Sequence, residues 1–163
     1  MIKKITACIL SAAMFFSVTA FAATPAGHWF EGSVAEVSEF YPQVTSDGFD
    51  PDGYITYKQF ASVATNVISR AIAYSTDLSY ENITRYDILR LICERMEYAD
   101  LTEEEEVTTA LSIADFNTMP QEYKQIALIS VKNGLVCGDE NGMLNLGEKA
   151  TYAEALVILS RVY

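Results

Sequence analysis

Three threonines, Thr56, Thr84 and Thr151, each open a segment with the same apolar register. Four residues on stand Phe60, Ile88 and Ala155; seven on, Val63, Leu91 and Ile158; eight on, Ala64, Ile92 and Leu159. These spacings turn one side of a 3.6-residue helix inward, whereas a half-buried strand would alternate by two. Threonine before such a run is a natural N-cap, and Gln59, Asp87 and Glu154, three residues later, can complete the cap. Three gapless copies in one chain predict an internal repeat of capped helices.

The last copy has the most patterned approach. Gly134 suits a left-handed position after a helix expected over 121–133, and Gly138 and Gly142 supply turns before Thr151. Ahead of the first copy, Trp29, Phe30, Val34, Val37, Phe40 and Tyr41 follow helical spacing until Pro42, and the turn-rich stretch 46–53 leads on to Thr56. The middle copy has only a polar turn before its helix. Thr102, followed by glutamates at 103–106, predicts a further capped helix with its carboxylates at the positive end of the helix dipole. The expected fold is mainly α: helix-loop-helix units around a shared core, with no substantial sheet. The units fall at about 27–72, 75–100 (partial) and 114–163.

Residues 1–22 read as a secretory signal peptide. Lys3 and Lys4 precede an apolar run over 5–19 that is short for a bilayer span, and Ala20 and Ala22 fit the −3 and −1 positions of a cleavage site. The remaining chain, 23–163, is expected outside the cytoplasm and without a membrane partner. Without Lys3 and Lys4, nine basic residues stand against 22 acidic ones, a formal charge near −13. Such a surface repels nucleic acid and anionic lipid, so neither is an expected partner. Cys93 and Cys137 either pair, closing a loop of about 44 residues, or remain buried thiols.

Two cysteines and the single His28 are too few for structural zinc. Asp50-Pro51-Asp52-Gly53 and Asp139-Glu140-Asn141-Gly142 mimic the middle of a calcium-binding EF-hand loop. Registered on the glycine, however, the terminal ligand positions of the first loop fall on Gly48 and Gln59, and the first position of the second on Cys137. No GxSxG, HExxH or phosphate-binding glycine loop is present. The chain is therefore read as non-enzymatic, with no catalytic residue, metal or cofactor, and Trp29 and the tyrosines are expected to fill the core.

The loops carry a family resemblance. Asp47-Gly48-Phe49 with Pro51, Ile55 and Thr56 aligns with Asn141-Gly142-Met143 with Asn145, Ala150 and Thr151. Gly134-Leu135-Val136-Cys137-Gly138 precedes the second loop, and Ala114-Asp115-Phe116 leads into its unit. This pattern resembles the S-layer homology (SLH) domain family, whose signature sets a glycine-bounded apolar run, an acidic-glycine loop and a TRAE motif between two helices. The resemblance covers nearly all of 27–163. It implies a helical repeat module, often a three-pronged spindle, that holds exported proteins to the wall of Gram-positive-type bacteria. In that family the ligand is an anionic secondary cell-wall polymer, a peptidoglycan-linked glycan that is commonly pyruvylated.

The family's TRAE arginine contacts the acidic sugar in an inter-repeat groove, a task suited to the planar fork of a guanidinium. Here Thr84-Arg85-Tyr86-Asp87 keeps the arginine, and Tyr57 and Tyr152 replace it in the other copies. The resemblance thus implies a ligand-binding set of Arg85, Thr84 and Asp87, with Tyr57 and Tyr152 able to stack on a sugar ring or make one hydrogen bond. Read without the resemblance, Arg85 is equally a helix-surface residue paired with Asp87 or Glu81. The expected location is secreted and associated with the cell wall. The alternative function is a secreted structural or protein-interaction domain that keeps the fold without the anchor and binds another exported protein.

Overall fold

The computed structural model describes residues 27–162, so the expected signal peptide at 1–22 lies outside the described residues. Six α-helices occur among them: α1 (Val34–Val37), α2 (Tyr57–Ile68), α3 (Arg85–Met96), α4 (Glu103–Ala110), α5 (Gln121–Lys132) and α6 (Tyr152–Ser160). The described residues contain no sheet; isolated antiparallel bridges pair Tyr54 with Thr151 and Thr56 with Asn82. The fold is mainly α.

The repeated helices begin where the threonines predict. Thr56, Thr84 and Thr151 are the N-caps of α2, α3 and α6; each has an extended backbone, and each side chain accepts from the N–H three residues on. Gln59 and Glu154 reach back to complete capping boxes, and Thr102 with Glu105 forms another at α4. All nine apolar register positions, from Phe60 to Leu159, are buried. α2 and α3 end on Ser69 (φ 56°) and Glu97 (φ 53°), both left-handed, which turns the chain away from the helix axis. Ala71, which periodicity places on the helix face, therefore falls beyond α2 and is exposed.

The helix expected over residues 28–41 is broken. Trp29–Ser33 forms a 3-10 turn, α1 lasts four residues, and Pro42–Thr45 is a second 3-10 turn. Gly32 and Ser33 are weak helix formers, and the His28 ring accepts the Phe30 N–H (3.2 Å), which stabilises the tighter start. This corrects the placement of Trp29. The turn sends Phe30 inward, fully buried, and leaves Trp29 59% exposed. Tyr54 and Tyr80 are likewise exposed rather than core.

The chain divides into two compact units. One is Thr84–Glu148 and holds α3, α4 and α5; α5 packs against both α3 and α4. Its core includes Ile88, Leu89 and Ile92 with Ala127, Leu135 and Leu146. The other comprises residues 27–83 and 149–162 among the described residues, and in it α6 packs against α1 and α2 around Phe30, Phe60 and Leu156. These bodies do not follow the boundaries 27–72, 75–100 and 114–163: the last segment is shared, its α6 joining the first.

Backbone hydrogen bonds supply the reason. In the unit of α1, α2 and α6, Ile55 N–H donates to Ala150 O (3.2 Å), Ala150 N–H to Ile83 O (2.9 Å) and Ile83 N–H to Ile55 O (3.0 Å). Each residue of this closed ring precedes a capping threonine, and all three are fully inaccessible. Three buried donors and three acceptors thus satisfy one another.

The helix starts use a second repeated bond pattern. Tyr57 and Lys58 N–H donate to Glu81 O and Ser79 O, Arg85 and Tyr86 N–H to Glu148 O and Leu146 O, and Tyr152 and Ala153 N–H to Gly53 O and Pro51 O. In every case the acceptors lie three and five residues before another capping threonine. These N–H groups have no partner within their own helix, so each copy of the repeat caps a different copy.

Candidate functional site

Arg85 is the first residue of α3, directly after its cap. Thr84 Oγ1 accepts the Asp87 N–H (3.1 Å) and donates to Asp87 Oδ2 (2.6 Å). Asp87 Oδ1 accepts from Arg90 Nη2 (3.3 Å), and Arg90 also bonds Glu94 (3.0 Å). Two of the residues expected at the ligand, Thr84 and Asp87, therefore have polar atoms engaged in building the helix start. Their contribution is to fix where Arg85 begins.

The Arg85 guanidinium turns toward residues 145–148, whose carbonyls receive the first N–H groups of α3. Arg85 Nε and Nη2 donate to Asn145 O at 3.2 and 3.1 Å, and Nη2 lies 2.8 Å from Glu148 Oε2. The Arg85 side chain is 16% exposed against 70% for Glu148. An ion pair thus joins Arg85 to Glu148, 63 residues away in the sequence.

The loop that offers these groups is held from two sides. Asp115 accepts the Leu144 N–H on Oδ1 (3.0 Å) and the Asn145 N–H on Oδ2 (2.9 Å), which positions Asn145 in a left-handed conformation (φ 50°) with its carbonyl on Arg85. Asp139 Oδ1 accepts from Met143 N–H (3.0 Å) and Asn141 N–H (2.8 Å), and Oδ2 from Asn145 Nδ2 (3.3 Å). The amides, Met143 first, hold the Asp139 carboxyl below its ordinary range. A Cβ on Gly138 would overlap the Gly142 backbone, so this close approach requires glycine. In the calcium-like loop, then, Asp139 directs its oxygens to the chain's own amides. Among the described residues no three His, Cys, Asp or Glu side chains are grouped to hold a metal ion.

Beside this loop lies a cleft of about 340 Å³. Tyr123, Met119, Pro120, Met143 and Leu146 give it apolar wall, and Asp115, Asn145 and Glu148 contribute polar atoms. The Tyr123 ring stacks on Tyr86 with centroids 4.0 Å apart and planes 16° from parallel, so its orientation is fixed by the residue after Arg85. Asn145 and Glu148 belong both to this cleft and to the Arg85 contacts. The arrangement can grip a planar carboxylate and lay a ring against an aromatic and methionine surface.

Tyr57 and Tyr152 occupy the matching first positions of α2 and α6, in the other compact unit. Tyr57 is buried and stacks on Tyr74 (6.2 Å). Tyr152 stacks on Tyr41 (6.5 Å, 22°) and meets Phe49 edge-on (5.8 Å, 72°), and burial raises the pKa of its hydroxyl. Each serves packing where Arg85 serves charge.

The sequence names none of Asn145, Asp115 and Tyr123 as a site residue, and it brings in Glu148 only as the acid six residues past the glycine of the calcium-like loop at 139–144. The threonine spacing also points to Glu148, which stands three residues before Thr151 as Glu81 does before Thr84. Cys93 and Cys137 are both thiols; Cys137 is exposed rather than buried as expected, while Cys93 is buried 3.6 Å from Ser130 Oγ, and burial raises its pKa. No helix among the described residues is long and apolar enough to cross a membrane. Comparison with protein-family models and with curated proteins finds no match for this chain.

Proposed function

We propose that this chain is an exported, non-enzymatic module of SLH type that binds an anionic secondary cell-wall polymer through Arg85 and so associates with the bacterial wall. The observation that supports this reading is the guanidinium at the start of α3, oriented by the Asn145 carbonyl and already bonded to a carboxylate, beside a cleft with an aromatic wall. Arginine in that setting recognises the acid group of a sugar, and Tyr123 and Met143 support its ring. The helix starts, each bonded by the segment that precedes another copy, fit a repeat-built module.

A second reading, an exported interaction domain without wall binding, draws on Tyr152, which packs against Tyr41 and Phe49 where an arginine would be needed for another anion site. Co-sedimentation with purified cell-wall sacculi, before and after acid stripping of the secondary polymer, separates the two. The wall reading predicts binding that is lost on stripping and reduced at least tenfold in Arg85→Ala, the scale of a lost charged hydrogen bond of about 1.5–3 kcal/mol. Equal sedimentation of native and Arg85→Ala protein, or none with intact walls, would sink it.

A further inference from the structure

We propose that Glu148 is an internal competitor for the Arg85 ligand, a carboxylate carried by the chain itself that the ligand's carboxylate replaces; this rests on the reading of Arg85 as the anion clamp. Glu148 Oε2 is 2.8 Å from Arg85 Nη2, yet its side chain is 70% exposed while that of Arg85 is 16% exposed. The partner that can leave is therefore the one already in solvent. Exposed ion pairs hold weakly because water and salt compete for both charges.

The Glu148 backbone does not depend on that ion pair. Its carbonyl accepts the Arg85 N–H (3.0 Å), and its N–H donates to Asn145 O (3.1 Å). The side chain can thus swing away while the loop stays in place. Arg85 keeps its orientation as well, because Nε and Nη2 bond the Asn145 carbonyl, and Asn145 is held by Asp115. Both Glu148 and Asn145 line the cleft, so a ligand resting on Tyr123 and Met143 approaches Arg85 along the path Glu148 vacates.

The exchange trades one carboxylate for another on the same guanidinium. A bare carboxylate gains little from it. An acidic sugar gains its ring contacts, and the internal glutamate thereby sets a threshold that favours acids attached to a ring. Among the three helix starts, the residue in the place of Glu148 is Glu81 beside the α2 start and Gly53 beside the α6 start, so arginine and an acidic side chain coincide at α3 alone.

Glucuronate is the probe, followed through the Arg85 Nε–H resonance of the full mature chain, with glucose and acetate as controls. Glutamine in Glu148→Gln keeps the shape and removes the charge. Half-saturation of the Arg85 shift is expected at about two- to fivefold lower glucuronate in Glu148→Gln than in the native protein, the range of an exposed ion pair. Glucose should leave the resonance unmoved, and acetate should need a higher concentration than glucuronate. An unchanged or higher half-saturation in Glu148→Gln, or no glucuronate shift in either protein, overturns the proposal. Sacculi answer the separate question. Glucuronate gain without sacculus binding sinks the wall reading and leaves the competitor standing; Arg85-dependent sacculus binding without glucuronate gain does the reverse.

Discussion

The starts of α3 and α6 are built from the same backbone plan and closed by opposite chemistry. At each, a threonine caps the helix, and the first two N–H groups donate to carbonyls three and five residues before another threonine. On α3 the first side chain is Arg85, held by a carbonyl and a glutamate. On α6 it is Tyr152, set among Tyr41 and Phe49. The backbone plan specifies the helix start and leaves the first side chain at liberty to supply either charge or packing. What distinguishes the charged copy from the aromatic copy is thus one residue and its surroundings, while the hydrogen-bonded frame is common to both.

The largest effect should come from removing the aromatic closure. Tyr152→Ala takes away a half-buried ring and its contacts with two others, and is expected to destabilise the protein by about 2–3 kcal/mol, from lost apolar burial plus the aromatic pair. Urea unfolding reads this directly. Arg85→Ala should cost less, about 1–2 kcal/mol, since part of its interaction is an exposed ion pair. Raising salt should shrink the Arg85 deficit and leave the Tyr152 deficit in place. A larger loss from Arg85→Ala than from Tyr152→Ala would reverse the assignment of charge to one start and packing to the other.

The shared frame predicts equal effects where the side chains predict different ones. Thr84→Ala and Thr151→Ala each remove a cap that accepts an N–H three residues on, and each should cost about 1 kcal/mol. Paired unfolding curves that differ by much more than that would show that the two caps are not equivalent, and that the common plan holds only in outline.

The threonines and the nine apolar positions were legible because a cap and a helical stripe are local properties, visible within eight residues. The same reasoning placed α4 at Thr102. It failed for Trp29 because a 3-10 turn and an α-helix differ in phase by enough to exchange two adjacent aromatics, and His28 decided the matter by bonding the Phe30 N–H. The ring of Ile55, Ile83 and Ala150 was not legible, since backbone groups are the same in every residue and only the folded chain selects partners. The bond from Arg85 to Glu148 was hidden for a related reason: it spans 63 residues, and sequence proximity pointed to Asp87 or Glu81. Asp87 was in fact occupied by its own threonine and by Arg90.

The smallest effect tests whether the unit containing α3 relies on charge elsewhere too. Glu105 caps α4 with Thr102 and lies 2.9 Å from Lys132 Nζ. The Lys132 hydrogen bond, followed by the Thr102 N–H and hydroxyl, pulls the Glu105 pKa down from an ordinary 4.5 to about 2. A carboxyl depressed on folding stabilises the native state above its unfolded pKa, and that contribution fades as pH falls toward the folded value. Glu105→Gln should therefore melt below the native protein at neutral pH, with the gap closing between about pH 4.5 and pH 2. Tyr152→Ala should show no such closure, because neither ring stacking nor apolar burial gains or loses a proton there. A Glu105 gap that stays constant to pH 2 would mean that its side chain acts through shape and neutral hydrogen bonding, and the contrast between a charged and an aromatic closure would then be confined to Arg85 and Tyr152.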